Sequence, residues 1–181
     1  MTLEKLKEKL EEAKINTRKW GENGVKTVQH LLDEMNNGET KLVINTEEKL
    51  IRFVKVVAIN VYYHMDDKYA WKLVEERQQF PDGTIKRRNI DTSLGEKIRG
   101  NENPTESAIR ALKEELGFDM PYTLTPLKSI LREKESEFFP GLLSSYETHF
   151  FSCSIPQRLF KARGYVEKKA EKKIYFIWRA I

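Results

Sequence analysis

The 181-residue sequence predicts an α/β fold, in which a mixed sheet is packed between helices and preceded by an N-terminal helical extension. Two observations predict this class. Residues 50–64 are rich in β-branched and aromatic side chains, and residues 104–116 carry the signals of a capped helix, with shorter strand-like segments on either side in the sequence. Strands before and after one helix, with further helices elsewhere, are typical of such a layered domain. We expect the extension to cover residues 1–38 and the main domain to cover residues 39–181.

The extension contains two amphipathic segments separated by residues 21–24, which begin and end in glycine. Apolar residues recur at helical spacing in both segments, at Leu3, Leu6, Leu10 and Ala13 and again at Val25, Val28, Leu31, Leu32 and Met35. Two short helices are therefore predicted, which either pack over a face of the sheet or form a homodimer contact.

Residues 50–64 are largely apolar at both alternating sets of positions, which indicates a strand buried on both faces at the centre of a sheet. Residues 81–84, Pro-Asp-Gly-Thr, form a turn signal, because proline restricts φ and glycine supplies positive φ. Residues 69–80 and 84–88 are thus predicted to form an antiparallel hairpin. Later strands are predicted around residues 124–131, 145–155 and 174–178.

The predicted helix of residues 104–116 has start and stop signals that agree. Asn103 can cap it, Pro104 occupies its first position, Glu106 lies in its first turn and Gly117 ends it.

Composition limits the environment and the redox chemistry. No apolar run approaches the roughly 20 residues that a bilayer span needs, and the N-terminus is charged and amphipathic, so we expect no membrane partner and a cytoplasmic location. Cys153 is the only cysteine, which excludes an intramolecular disulfide, and its apolar neighbours predict a buried structural thiol.

The net charge of +4 is unevenly distributed, because residues 157–181 contain eight basic and two acidic side chains. Basic segments attract phosphate-rich ligands, but they also form solvated loops. The lysine run at 168–173 has no interleaved aromatic residues, and single-stranded nucleic acid usually needs such stacking surfaces. The sequence therefore favours a solvated loop over a nucleic-acid partner.

The helix of residues 104–116 also carries a carboxylate pair, Glu114 and Glu115, on or beside the face of Ala111, and Glu102 lies in the loop before it. Clustered carboxylates repel, and a hard cation such as Mg²⁺ is their natural partner, because it joins carboxylates to the phosphates of a substrate. Arg110 is placed to pair with Glu106 or Glu102, which would brace the loop against the helix.

Residues 95–118 resemble the Nudix box, in which a glycine, a glutamate and an Arg-Glu-hydrophobic-x-Glu-Glu-x-Gly helix follow at fixed spacings. The matching positions are Glu102, Arg110, Leu112, Glu114, Glu115, Gly117 and Phe118. The resemblance implies a Nudix-like α/β/α sandwich that hydrolyses nucleoside diphosphate-linked compounds with Mg²⁺ or Mn²⁺. It implies that Glu114 and Glu115 bind the metal and that Arg110 and Glu102 complete the catalytic set.

Two positions depart from the box. Its opening glycine falls on Glu96, one place after Gly95, and its metal-binding glutamate after the arginine is Ala111. A carboxylate from elsewhere would have to replace that ligand, and the candidates are Glu133, Glu135, Glu137 and Glu147.

Three functions are therefore open. The first is the metal-dependent hydrolase, with a phosphorylated small molecule such as a nucleotide as substrate and Lys86, Arg87 or Arg88 as phosphate contacts. The second is a catalytically inactive ligand-binding or protein-interaction module. The apolar loop of residues 138–143 is either a partner site of such a module or the wall of a substrate pocket. The third, which the sequence favours least, is a nucleic-acid binder that uses the basic residues 157–181.

Overall fold

The computed structural model describes residues 1–22, 24–66, 68–88 and 92–181. Within these ranges the chain forms helices and strands in an α/β arrangement, which confirms the predicted fold class. The helices are α1 (Leu3–Glu12), α2 (Val28–Asn36) and α3 (Pro104–Leu116). The strands are β1 (Lys41–Ile44), β2 (Leu50–His64), β3 (Ala70–Gln79), β4 (Ile85–Arg87), β5 (Leu94–Lys97), β6 (Thr123–Glu135), β7 (Leu143–Ile155), β8 (Tyr165–Lys168) and β9 (Lys173–Ala180).

The described strands belong to one nine-stranded sheet, whose main path runs in the order β6-β7-β2-β3-β9-β8. Strands β1 and β5 pair with β2, and β4 pairs with β3. Strand β2 thus lies inside the path, and most of its side chains are buried on both faces, as predicted. The predicted hairpin is confirmed, because β3 and β4 pair antiparallel from Arg77–Arg87 to Gln79–Ile85.

The contacts divide the chain into two compact units that do not follow chain order. The first unit comprises Met1–Val56, Lys97–Glu102 and Ser129–Thr148, and the second comprises Val57–Glu96, Asn103–Lys128 and His149–Ile181. The helices of the extension therefore belong to the same unit as β1.

In the first unit, α1 and α2 bury their apolar faces in one core with the beginning of β2. The buried residues of this core are Leu6, Leu10, Trp20, Leu31, Leu32, Leu50, Phe139 and Leu142. Helix α2 begins at Val28 and not at Val25, because the Thr27 side chain caps it and the His30 ring accepts a hydrogen bond from the Thr27 N–H.

In the second unit, β9 pairs antiparallel with both β3 and β8. The short strands β5 and β8, like β1 of the first unit, were absent from the sequence prediction, because four-residue strands are specified by their neighbours more than by their own composition. Strand β5 precedes the loop that holds Glu102. Cys153 is fully buried, as predicted, and burial raises the pKa of its thiol to about 12.

Across the part of the chain that the structure describes, none of the helices combines the length and apolar character that a membrane crossing requires.

Candidate functional site

Helix α3 begins and ends as its sequence predicts. The Asn103 side chain accepts a hydrogen bond from the Glu106 N–H at 2.9 Å, and the Glu106 carboxylate accepts one from the Asn103 N–H at 3.0 Å. Gly117 ends the helix in a left-handed conformation, with φ of 69°. The capped helix buries one face, formed by Ser107, Ala108, Ala111, Leu112 and Leu116.

Arg110 of α3 forms ion pairs with β5 and with the next turn of α3. Its Nη1 lies 3.2 Å from Glu114 Oε2 and 3.8 Å from Glu96 Oε1, and its Nη2 donates to Ser107 Oγ at 3.2 Å. Glu106, one of the two partners predicted for Arg110, is instead part of the helix cap. Glu114 therefore lies in an ion pair on the helix surface, where half of its side chain is exposed.

Glu115 lies among carboxylates that the sequence did not connect with it. Its pKa is raised to about 8, first by burial and then by the nearby charges of Glu167, Glu96 and Glu75, whereas Lys169 opposes the shift. These four glutamates come from β3, β5, α3 and β8. We call Glu75, Glu96, Glu115 and Glu167 the carboxylate cluster.

The sheet register explains why two members of the cluster share a face. Glu75 of β3 stands opposite Phe176 of β9, and Glu167 of β8 stands opposite Ile174. Since Ile174 and Phe176 are two residues apart on one strand, both glutamates project to the same side of the sheet. Both are buried, with 6% and 8% of their surface exposed.

The two buried glutamates differ in their hydrogen-bond partners. Glu75 accepts a hydrogen bond from Gln78 Nε2 at 2.8 Å, and Arg88 Nη1 lies 3.6 Å from its other oxygen. Glu167 Oε1 pairs with Lys169 Nζ at 3.1 Å, but its buried Oε2 has no hydrogen-bond partner among the described residues. Burial raises the pKa of Glu167, and the hydrogen bond from Lys169 only partly offsets that rise.

A cavity of about 430 Å³ opens beside Glu115 and Glu167. Gly164 forms part of its wall, and at this position a side chain would collide with the Phe176 carbonyl oxygen. Its other lining residues include Glu114 and the cations Lys161 and Lys168. The cavity thus combines carboxylate oxygens with ammonium groups, which is the combination that a metal-bound phosphate would require.

The chemistry of these side chains fits a hard divalent cation at one edge of the cluster. A buried carboxylate oxygen without a partner is costly, and Glu167 Oε2 beside Glu115 offers two oxygen donors of the kind that Mg²⁺ prefers. Among the described residues, no three His, Cys, Asp or Glu side chains are assembled as a metal-binding group. One or two carboxylates are nevertheless sufficient for Mg²⁺, because it retains several waters and also binds substrate phosphates.

Glu102 and the four glutamates suggested as replacement ligands lie in the first unit. Glu102 accepts a hydrogen bond from the Arg99 N–H at 3.0 Å. Among the glutamates suggested as replacement ligands, Glu135 accepts from the Gly141 N–H and Glu137 pairs with Lys134, while Glu147 lies 3.8 Å from Lys55 Nζ. The carboxylates whose charges raise the pKa of Glu115 are instead the other members of the carboxylate cluster.

Sequence reasoning missed Glu75, Glu96 and Glu167 as neighbours of Glu115. A signal existed only for Glu96, which occupies the opening position of the box where glycine is expected. Of the basic residues before the box, Arg88 reaches Glu75 and Arg87 lies 3.9 Å from Glu76.

No family model matches the chain, and no curated protein matches it. Solved structures do. The NUDIX domain of Shewanella oneidensis NrtR complexed with ADP ribose is 13% identical, with 68% of this chain and 70% of that chain covered and a TM-score of 0.40. RenU, a Nudix hydrolase from M. smegmatis, is 19% identical, with 75% and 78% covered and a TM-score of 0.37. A C. elegans Ap4A hydrolase binary complex is 16% identical, with 68% and 77% covered and a TM-score of 0.40. The chain is thus similar to solved proteins that are named as Nudix proteins. The Nudix box is also the motif that residues 95–118 resemble.

Proposed function

We propose that this protein is a hydrolase that cleaves phosphoanhydride bonds of nucleoside diphosphate-linked compounds and depends on Mg²⁺ or Mn²⁺. One observation carries the proposal: Glu115 and Glu167 line the same cavity as two lysines, and Glu167 Oε2 is buried without a hydrogen-bond partner among the described residues. The resemblance of residues 95–118 to the Nudix box supports the reaction class.

In this proposal Glu115 and Glu167 hold the metal, and Glu114, the other ligand predicted from the box, lies on the wall of the same cavity. When bound, the metal lowers the pKa of a water ligand and neutralises charge on the phosphate. Lys161 and Lys168, which also line the cavity, bind the phosphate oxygens. These residues thereby position the phosphorus for attack by water.

Glu114 and Arg110 have separate roles in the same scheme. Glu114 is half exposed and accepts the proton of the attacking water, as a general base within reach of the cavity. Arg110 is a positioning residue, because it lies within 4 Å of carboxylate oxygens on both Glu114 and Glu96. Glu102 completes the set that the box implies, as a support of the loop before α3.

The direct test measures phosphate release from a panel of nucleoside diphosphate-linked compounds with Mg²⁺ or Mn²⁺. We expect metal-dependent release by the wild-type protein, at least a hundredfold less with Glu115→Gln, and unchanged release with Glu8→Gln, an exposed glutamate on α1. Equal release by the wild-type protein and Glu115→Gln would refute the assignment of this site.

A second candidate function is a ligand-binding module without catalysis. It is favoured by Ala111, which is fully buried at the position where the box places a metal-binding glutamate. In that case the same compounds stabilise the protein against heat, but none of them is hydrolysed with either metal. Thermal shift measured beside phosphate release distinguishes the two functions.

A further inference from the structure

Two turns of the second unit line a smaller, open cavity of about 280 Å³. One is the β3–β4 turn, closed by a hydrogen bond from the Phe80 N–H to the Thr84 carbonyl at 2.9 Å. The other is the β8–β9 turn, closed by the Lys169 N–H and the Lys172 carbonyl at 2.8 Å. The pairing of Gln79 with Lys173 holds the two turns side by side.

The side chains that line this cavity have one sign of charge. Its lining comprises Gln79, Phe80, Pro81, Gly83, Lys169, Ala170, Lys172 and Lys173, so none of the described lining residues is acidic. Asp82 and Glu171, the acidic residues of the two turns, are not among the lining residues. The Asp82 carboxylate accepts a hydrogen bond from the Thr84 N–H at 2.8 Å. The cavity is therefore a cationic concavity with an apolar wall at Phe80.

Lys172 is held in this cavity by a specific hydrogen bond. Lys172 Nζ donates to Gln78 Oε1 at 3.1 Å, which fixes the ammonium group but leaves its charge uncompensated by that neutral amide. Burial lowers the pKa of Lys172, and the charges of Lys169 and Arg88 lower it further, whereas Glu171 and Glu75 oppose the shift. A positive charge held under such repulsion is stabilised by a bound anion.

We propose that this cavity is a phosphate-binding subsite, in which Lys172 and Lys173 bind the phosphate oxygens and Lys169 completes the wall. Its volume of about 280 Å³ lies just below the roughly 300–1,000 Å³ of sites that enclose a whole small ligand, which suits one phosphate group better than a complete nucleotide. The lysine run at 168–173, which the sequence indicated as a solvated loop, thus becomes part of a proposed phosphate site together with the β3–β4 turn.

The identity of the ligand rests on the proposed function. The ligand is a phosphoanhydride substrate, and the subsite binds the phosphate group of that substrate that is not bound to the metal. Lys169 connects the phosphate subsite with the carboxylate cluster, because it lines this cavity and its Nζ lies 3.1 Å from a carboxylate oxygen of Glu167. One β8–β9 hairpin therefore contributes a carboxylate to the proposed metal site and ammonium groups to the proposed phosphate subsite.

Binding of inorganic pyrophosphate to the full chain, measured by calorimetry without any divalent metal, tests the subsite apart from catalysis. We expect the double variant Lys172→Gln, Lys173→Gln to bind at least tenfold more weakly than the wild-type protein. The matched control Lys5→Gln, Lys7→Gln removes two lysines of α1 and should change the dissociation constant less than twofold. Melting curves verify that both double variants are folded.

The same titration separates this inference from the proposed function. Glu115→Gln should retain pyrophosphate binding without metal even though it loses turnover. Wild-type binding that the Lys172 and Lys173 changes leave intact, or no binding by the wild-type protein, would overturn the subsite.

A thymidine oligonucleotide tests the other source of phosphate, a nucleic-acid backbone. Pyrophosphate binding that the oligonucleotide does not displace supports the substrate phosphate. Tighter binding of the oligonucleotide that weakens steeply with salt and is lost in the double variant would overturn that assignment in favour of nucleic acid.

Discussion

Arg52 Nη2 and Glu34 Oε2 form an ion pair of 2.6 Å between side chains that are only 4% and 7% exposed. Lys26 and Lys97 also reach Glu34, at 2.5 Å and 2.8 Å, so one carboxylate of α2 forms ion pairs with three cations of its unit. The Arg52 guanidinium lies 5.2 Å from the ring centre of Phe139. The polar link between α2 and β2 is thus embedded beside the apolar core of the first unit.

Removing the acid of this pair should be strongly destabilising. Glu34→Ala leaves the buried Arg52 without its partner, and we expect a loss of about 3–5 kcal/mol in the free energy of unfolding. Chemical denaturation measures it. Glu47→Ala is the matched control, because the Glu47–Lys49 pair is exposed and should contribute little. Equal effects of the two substitutions would contradict this role for Glu34.

The same carboxylate predicts sensitivity to acid. Burial by itself would raise the pKa of Glu34, but hydrogen bonds from Lys26 and Lys97, with the charge and hydrogen bond of Arg52, hold it at about 2, below the ordinary 4.5. The unfolded chain therefore binds the proton more readily. The stabilisation is complete above pH 4.5 and is lost as the pH falls toward 2, on the order of 3 kcal/mol in total.

Urea denaturation at pH 7, 4 and 2.5 tests this acid sensitivity against Glu34→Gln. The variant starts from a lower stability but lacks the contribution of Glu34 to the decline. Parallel losses in both proteins would assign the acid sensitivity to other groups.

Glu115 should produce the opposite pH dependence in the metal-free protein. Its pKa is raised to about 8, so the folded chain binds this proton more readily than the unfolded chain, whose ordinary value is 4.5. Its stabilising contribution is complete below pH 4.5 and is lost as the pH rises toward 8. Melting temperatures of Glu115→Gln should therefore decline less than those of the wild-type protein over this range. An identical decline of the melting temperature in both proteins would show that Glu115 is not the cause of this pH dependence.

Mg²⁺ should reverse that loss if the carboxylate cluster holds it. At pH 8 we expect the metal to raise the melting temperature of the wild-type protein, and the rise should be absent from Glu115→Gln. The control is Glu114→Gln, which keeps Glu115 and Glu167 and should retain at least part of the shift. A full shift in Glu115→Gln would place the metal elsewhere.

Restoring the glutamate of the box tests the departure at position 111. Ala111 is fully buried, so Ala111→Glu should cost at least about 3 kcal/mol of stability without metal, because it buries a charge. If position 111 borders the metal site, Mg²⁺ recovers more stability in this variant than in the wild-type protein. Ala111→Gln has nearly the same size without the charge, and an equal metal response from it would exclude a ligand role.

The sequence determined the features that depend on residues close together in the chain. The Asn103–Glu106 capping box and Gly117 bound α3, the turn at residues 81–84 closes the hairpin, and the apolar residues of 50–64 form a buried strand. Each of these depends on hydrogen bonds or turn geometry within a few residues, or on the continuous apolar character of one segment. The resemblance of residues 95–118 to the Nudix box could be recognised for the same reason.

Only the tertiary structure decided which side chains surround Glu115 and which cations face the β3–β4 turn. Glu75, Glu96 and Glu167 are far apart in the sequence, and the register of β3, β9 and β8 brings Glu75 and Glu167 to one face of the sheet. A shift of one residue in that pairing would turn either glutamate to the opposite face. Strand register depends on long-range packing, so no local pattern in the sequence specifies the cluster.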